Sequence, residues 1–264
     1  MSEALRLLLW GALGVAALQA AFWLWHLRKD NASLVDVGWA LGLGGLAGFY
    51  ALAASGDPAR RLLVGVMGGL WGLRLGLHLW VRVARDPHED GRYQDLRRRW
   101  GGAIRAKFFA FFQAQAALTA LFSLPFYAVA RNPTAQPSVA LLAGVAVWAL
   151  SVAGETLADL QLARFRRNPA QRGRTCREGL WRWSRHPNYF FEWTHWFAYV
   201  LLALGSPLAW LAWLGPVLML ASLCWVTGIP YVEAQALRSR GDDYRAYQRS
   251  TSAFIPWFPK GRSP

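Results

Sequence analysis

Val139-Ala140-Leu141-Leu142-Ala143-Gly144-Val145-Ala146-Val147-Trp148-Ala149-Leu150-Ser151-Val152-Ala153-Gly154-Glu155-Thr156-Leu157-Ala158-Asp159 decides the fold class. From Val139 to Gly154 no position carries a charge, and the run then closes on two acids one helical turn apart. An apolar run of about 18 residues or more reads as a helix crossing a bilayer. Six further runs of this kind surround it: Ala4–Trp25, Leu34–Ala54, Leu62–Val81, Phe108–Ala130, Phe190–Leu204 and Pro207–Ile229. The expected architecture is an all-α, integral membrane seven-helix bundle.

Composition agrees. Of 264 residues, 55% are hydrophobic and 17% charged, against about 25% charged in an ordinary soluble domain. That excludes a disordered chain. Two cysteines, Cys176 and Cys224, exclude a disulfide scaffold. Mean hydropathy is only +0.18 because the charges are packed into a few connecting segments. The first run outlasts the usual h-region of a signal peptide, about 7–15 residues, and reads as a retained helix.

The same segments set orientation, because cytoplasmic loops carry the excess of Lys and Arg. Arg82 to Lys107 hold one basic cluster, Arg164 to Arg185 a second, and the tail from Arg238 to Arg262 a third. The C-terminus is therefore expected in the cytoplasm and, with seven spans, the N-terminus outside. Arg60 and Arg61 fall on the opposite side. The net charge of +14 is explained by topology and attraction to anionic lipid, which leaves no need for a nucleic-acid partner. Some of these arginines also suit a phosphorylated cofactor, since guanidinium donates in bidentate fashion.

Three patterns carry no site. Gly42-Leu43-Gly44-Gly45-Leu46-Ala47 matches a dinucleotide fingerprint but lies inside a span, where small residues let helices approach. The five histidines show no metal-ligand spacing. His88-Glu89-Asp90 reads as a solvated loop.

Charge inside a span is costly and by default functional. Asp36 opens the second run. Arg74 and His78 share one face of the third. Glu155, Asp159 and Arg166 share one face of the fifth, and Glu192 and His195 begin the sixth. Their expected gathering at the cytoplasmic ends of the helices suggests a polar chamber. Just before the sixth run stand Arg185-His186-Pro187-Asn188-Tyr189. Pro187 suits a helix start, and a helix start flanked by Arg and Asn suits phosphate or amide groups.

Arg185-His186-Pro187-Asn188-Tyr189 followed by Glu192 resembles the signature of the steroid 5α-reductase superfamily, in particular its uncharacterised bacterial branch. Asn31–Trp39, Arg74–Arg82, Asp90–Tyr93 with Trp100-Gly101, Glu155–Arg166 and Tyr244–Pro256 resemble that branch too. The resemblance implies a membrane reductase that uses NADPH to reduce the activated C=C of a hydrophobic enone, a 3-oxo-Δ4 steroid or related lipid. It implies cofactor contacts from Asp159, Arg166, Asn188 and Tyr247. Arg185, His186, Tyr189, Glu192 and Tyr244 are expected around them, and Glu155 stands where the steroid reductases have Asn. It implies Asp36 and His78 in place of the family's catalytic Glu and Tyr. Residues 1–130 would enclose the substrate and residues 131–264 the cofactor, within one membrane domain.

The rival enzyme is an S-adenosylmethionine-dependent membrane methyltransferase of the isoprenylcysteine type, which carries a similar RHPNY element. A non-enzymatic lipid-binding or transport protein would need polar groups through the full membrane depth. The expected partners are the hydrophobic substrate and membrane lipid, a monomer suffices for this reading, and the expected location is a bacterial inner membrane.

Overall fold

The computed structural model describes residues 2–86, 88–135, 138–226 and 228–260. Arg262, counted above among the tail cations, lies outside them. Among the described residues there is helix and no strand. The chain divides into two compact units, Met1–Pro137 with Leu202–Gly215, and Ser138–Leu201 with Pro216–Pro264.

The first unit is organised by glycine. α1 (Glu3–Lys29), α2 (Leu34–Ala53) and α3 (Pro58–Arg85) are joined by short turns. Lipid is as apolar as leucine, so helices in a bilayer associate through close packing rather than through the hydrophobic effect. Gly65, Gly68, Gly72 and Gly76 of α3 form that packing surface. A Cβ built at Gly68 would stand 2.5 Å from the Ala47 Cβ, and one at Gly72 would stand 2.7 Å from the Gly44 Cα. The opposite side of α3 carries exposed Leu62, Val66, Leu70, Leu73 and Leu77, a stripe suited to lipid. α2 also receives α1, whose Gln19 donates to the Val35 carbonyl at 3.2 Å, and α5 (Ile104–Phe122), whose Thr119 lies over Gly42. Gly42 and Gly44 of the fingerprint-like stretch thus serve helix packing, whereas Gly45 meets open space.

α4 (Gly91–Trp100) is short and highly charged. α6 (Leu124–Ala130) is buried from Pro125 to Ala130. Arg60 is 2% exposed and donates to the carbonyls of Thr134 at 2.7 Å and Leu202 at 2.6 Å. Asn132 donates to the Leu202 and Leu204 carbonyls. Arg61 donates to the Ala51 and Leu52 carbonyls at the end of α2, which have no partner within the helix. The two arginines that broke the expected charge asymmetry are therefore engaged in holding backbone.

The second unit contains α7 (Val139–Arg167), α8 (Pro187–Ala203), most of α9 (Leu214–Ala221), α10 (Ile229–Arg240) and α11 (Asp242–Ser250). Ser138 caps α7 by accepting from the Leu141 amide at 3.2 Å. Gly154 admits the Phe191 ring of α8, which a Cβ would meet at 2.5 Å.

Among the described residues, six segments are long and apolar enough to cross a membrane: Glu3–Lys29, Leu34–Ala53, Pro58–Arg85, Ile104–Ala130, Val139–Arg167 and Ala209–Arg240. The chain is an integral membrane protein by this measure. The seventh expected span, α8, is not among them: it has 17 residues and spans about 26 Å at 1.5 Å per residue, short of a hydrocarbon core of about 30 Å.

Candidate active site

In the first unit the polar groups converge where α2 begins. Asp36 needs a partner because a half-buried carboxylate in a span otherwise keeps its full desolvation cost. It finds two. Tyr93 donates its hydroxyl to Asp36 Oδ1 at 2.6 Å, and Arg92 donates to Oδ2 at 2.8 Å. Both come from the first turn of α4, fixed by Asp90. The Asp90 side chain accepts from the Arg92 amide at 3.0 Å, and its own amide donates to Ser33 Oγ at 2.9 Å. Arg82 closes the set on Asp90 Oδ2 at 2.6 Å. Glu89 accepts from the Ala32 amide at 2.7 Å and from Arg97 at 2.9 Å.

Tyr93 is 3% exposed, packed with Phe22, Val37, Phe108 and Phe112. Burial, then the Asp36 charge, pushes its phenol well above the usual range, against the opposing pull of Arg92. Tyr93 therefore stays a proton-bearing donor at every physiological pH. Burial works to raise the Asp90 carboxyl, but its hydrogen bonds and the charges of Arg92 and Arg82 outweigh that and hold it below the ordinary value.

Two expectations are corrected here. Glu89 and Asp90 are not a solvated loop: their side chains are 8% and 14% exposed and ion-paired. Only His88 is solvated. Nor does His78 partner Asp36. His78 is exposed on α3, and among the described residues no hydrogen bond joins it to the acid. It follows buried Met67 and Trp71 by eleven and seven residues, so it lies on their side of the helix.

In the second unit the fifth-span face is present. Asn188 at the start of α8 donates to Asp159 Oδ1 of α7 at 3.2 Å. Glu155 and Glu192 are buried, Tyr189 is half-buried with its ring stacked 5.5 Å from His186, and Arg166 is exposed. The remaining expected cofactor residues turn inward. Arg185 donates to Glu233 at 2.6 Å and to the Thr251 carbonyl at 2.6 Å. His186 Nδ1 meets the Ala253 carbonyl at 2.9 Å. Tyr244 donates to Glu233 at 3.3 Å, and Tyr247 donates to the Trp181 and Ser184 carbonyls. Arg185, His186, Tyr244 and Tyr247 therefore lock the loop before α8 onto α10, α11 and the tail. An RHP element followed by a distant Tyr is as useful for stapling backbone as for holding a ligand, and sequence spacing does not separate the two.

The fold and the Asp36–Tyr93 cluster define a polytopic helical membrane protein with a built acid–phenol site. The profile of the family described as "Protein of unknown function (DUF1295)" matches residues 22–251, and the chain belongs to that family, which lies within the steroid 5α-reductase-like superfamily. Comparison with curated proteins and with solved structures gives no match.

Proposed function

We propose that the protein is a membrane-embedded, NADPH-dependent reductase of a hydrophobic enone, and that Tyr93, held by Asp36 and Arg92, polarises the substrate carbonyl. The observation that carries this reading is the 2.6 Å hydrogen bond from the Tyr93 hydroxyl to Asp36. Reducing an activated C=C builds negative charge on the carbonyl oxygen, and a fixed donor in a dry site lowers that barrier. Tyr93 bears its proton and is buried; its single O–H, parked on Asp36 Oδ1, would turn to the carbonyl oxygen when substrate binds, leaving Arg92 to hold the carboxylate. Asp36 keeps the catalytic role expected of it, while the donor role passes from His78 to Tyr93.

The donor set of the second unit suits NADPH. Asn188 and Asp159 would read amide and hydroxyl groups, exposed Arg166 would face phosphate, and Glu155, Tyr189 and Glu192 would complete the wall. When bound, NADPH supplies the hydride. Arg185, His186, Tyr244 and Tyr247 would hold that wall in place rather than touch the cofactor.

The reading retains seven crossings with α8 as a short one, an outside N-terminus, a cytoplasmic C-terminus and a bacterial inner membrane, supported by the basic segments after α3 and α7. The test is tritium transfer from labelled NADPH to a 3-oxo-Δ4 steroid, the first enone to try by family analogy. Tyr93→Phe should lower turnover about 10²–10³-fold, as removal of one such donor does, with NADPH affinity unchanged. Full turnover in Tyr93→Phe would refute the donor. Methyl transfer from labelled S-adenosylmethionine, with no hydride transfer, would replace the whole reading.

A further inference from the structure

Residues 251–260 follow α11 without regular secondary structure, yet the segment is fixed to the second unit. The Arg185 amide donates to the Ser252 carbonyl at 2.8 Å, Ser184 Oγ to the Phe254 carbonyl at 2.8 Å, the Trp257 amide to the Trp183 carbonyl at 2.9 Å, and the Lys260 amide to the Ser250 carbonyl at 2.8 Å. An ordered segment normally turns its large apolar side chains inward. This one holds them out. Ile255, Trp257 and Phe258 are 57%, 68% and 71% exposed. Trp183 is exposed beside them, its ring 5.3 Å from that of Phe258. Exposed Arg182, Arg249 and Lys260 flank the aromatic face. Arg249, Ser250, Trp257, Phe258 and Lys260 line an open cleft of about 330 Å³ whose lining includes no acid.

We propose that this tail face is seated in the headgroup layer of the membrane and that its cleft holds the phosphate of an anionic phospholipid. Tryptophan with flanking Lys and Arg is the composition that the membrane–water interface selects. The position agrees, because the tail is bonded to Trp183–His186, immediately before α8 enters its apolar course at Pro187. Charge agrees as well, since cations near an anionic leaflet are attracted and the cleft contributes nothing to oppose them. A contiguous exposed apolar patch rimmed by polar groups marks a contact surface, and lipid is the contact a membrane protein always has. This inference stands independently of the reductase reading.

The experiment is native mass spectrometry of the full-length protein, released from detergent after incubation with equimolar phosphatidylglycerol and phosphatidylcholine. The wild type should retain phosphatidylglycerol preferentially. R249Q/K260Q should cut that preference by about 30-fold, the effect of removing two near-surface cations. W257S/F258S should lower retention of both lipids. Both side chains changed in R249Q/K260Q are exposed, so that variant keeps its helical circular dichroism and decides the matter even if the aromatic variant folds poorly. An unchanged preference in R249Q/K260Q would overturn the proposal. So would displacement of the lipid by millimolar inorganic phosphate, which would assign the cleft to a soluble phosphate ligand. Loss of a dimer in W257S/F258S would assign the aromatic face to a second copy and overturn it too.

Discussion

Replacing Gly72 by Ala tests whether the α2–α3 glycine seam holds the first unit together. The new Cβ would stand 2.7 Å from the Gly44 Cα and amide nitrogen and 2.8 Å from the Ala40 carbonyl oxygen. All three are backbone, so no side chain can swing away. Ordinary carbon contacts lie at about 3.5–4.0 Å, and α2 and α3 must therefore part by about 1 Å at this level. A gap of that size forfeits about a quarter to a half of a well worth about 0.1–0.2 kcal/mol per atom pair. Over the tens of facing pairs along the seam, the loss is about 1–3 kcal/mol, the usual cost of overpacking. Alanine returns about 1 kcal/mol as the better helix former. Gly69, on the same helix, has open space around its Cβ position, so Gly69→Ala gains the propensity and meets nothing. The two variants should differ by about 1–3 kcal/mol, with Gly72→Ala the less stable. The assay is reversible unfolding in mixed micelles as the fraction of denaturing detergent rises. Equal midpoints for the two variants would refute the seam as the source of cohesion. A rescue sharpens the test: Gly68→Ala, opposed by the Ala47 Cβ at 2.5 Å, should recover when combined with Ala47→Gly.

Arg185→Gln should destabilise the second unit by about 1.5–3 kcal/mol, the worth of a hydrogen bond to a charged group, because it leaves the half-buried Glu233 with Tyr244 and Gln248 but no cation. Arg185→Met/Glu233→Met should restore much of that loss in the same assay, whereas a cofactor-contacting Arg185 would give a folded protein with weakened NADPH binding. A pH scan addresses His186. Burial, with the Arg185 charge, pushes its imidazole below 6.5, against the Ala253 carbonyl and Glu233. The unfolded chain then binds the proton first, so the stability His186 contributes is complete above pH 6.5 and is lost as pH falls toward its lowered folded value. His186→Asn should flatten the unfolding midpoint across that acid window, and an unchanged slope would remove His186 as its cause.

Membrane class was legible in the sequence because uncharged runs of bilayer length have no other stable home. Gly42 and Gly44 of α2 were legible as packing for the same reason. The end of α8 was legible to within a residue, but its start was not, because Pro187, Asn188 and Tyr189 read as a loop motif and yet form its first turn. Asp36 was found because a carboxylate in a span stands out. Its partner was missed because helical periodicity places Arg74 and His78 on one face of one helix and says nothing about which residues reach it from elsewhere. The segment that supplies Arg92 and Tyr93 looks like a basic loop, because the apolar face of α4, Tyr93, Leu96 and Trp100, is only three residues set among charges. The signal was present in the need itself: an acid opening a span calls for a cation and a donor, and Asp90-Gly91-Arg92-Tyr93 offers both beside the helix-capping acid that orders them.

The Arg60 clamp sets an order on biosynthesis. Its two carbonyl acceptors, Thr134 and Leu202, are 68 residues apart in the chain. At a ribosomal rate of about 5–20 residues per second, the guanidinium waits several seconds after its first acceptor emerges before the second exists. During that interval a charged group sits in nascent apolar helix with its hydrogen bonding incomplete, which is the condition an insertion factor recognises and a membrane protease exploits. Nascent chains arrested before Leu202 should therefore be held by such a factor or degraded, and those arrested beyond Gly215 released.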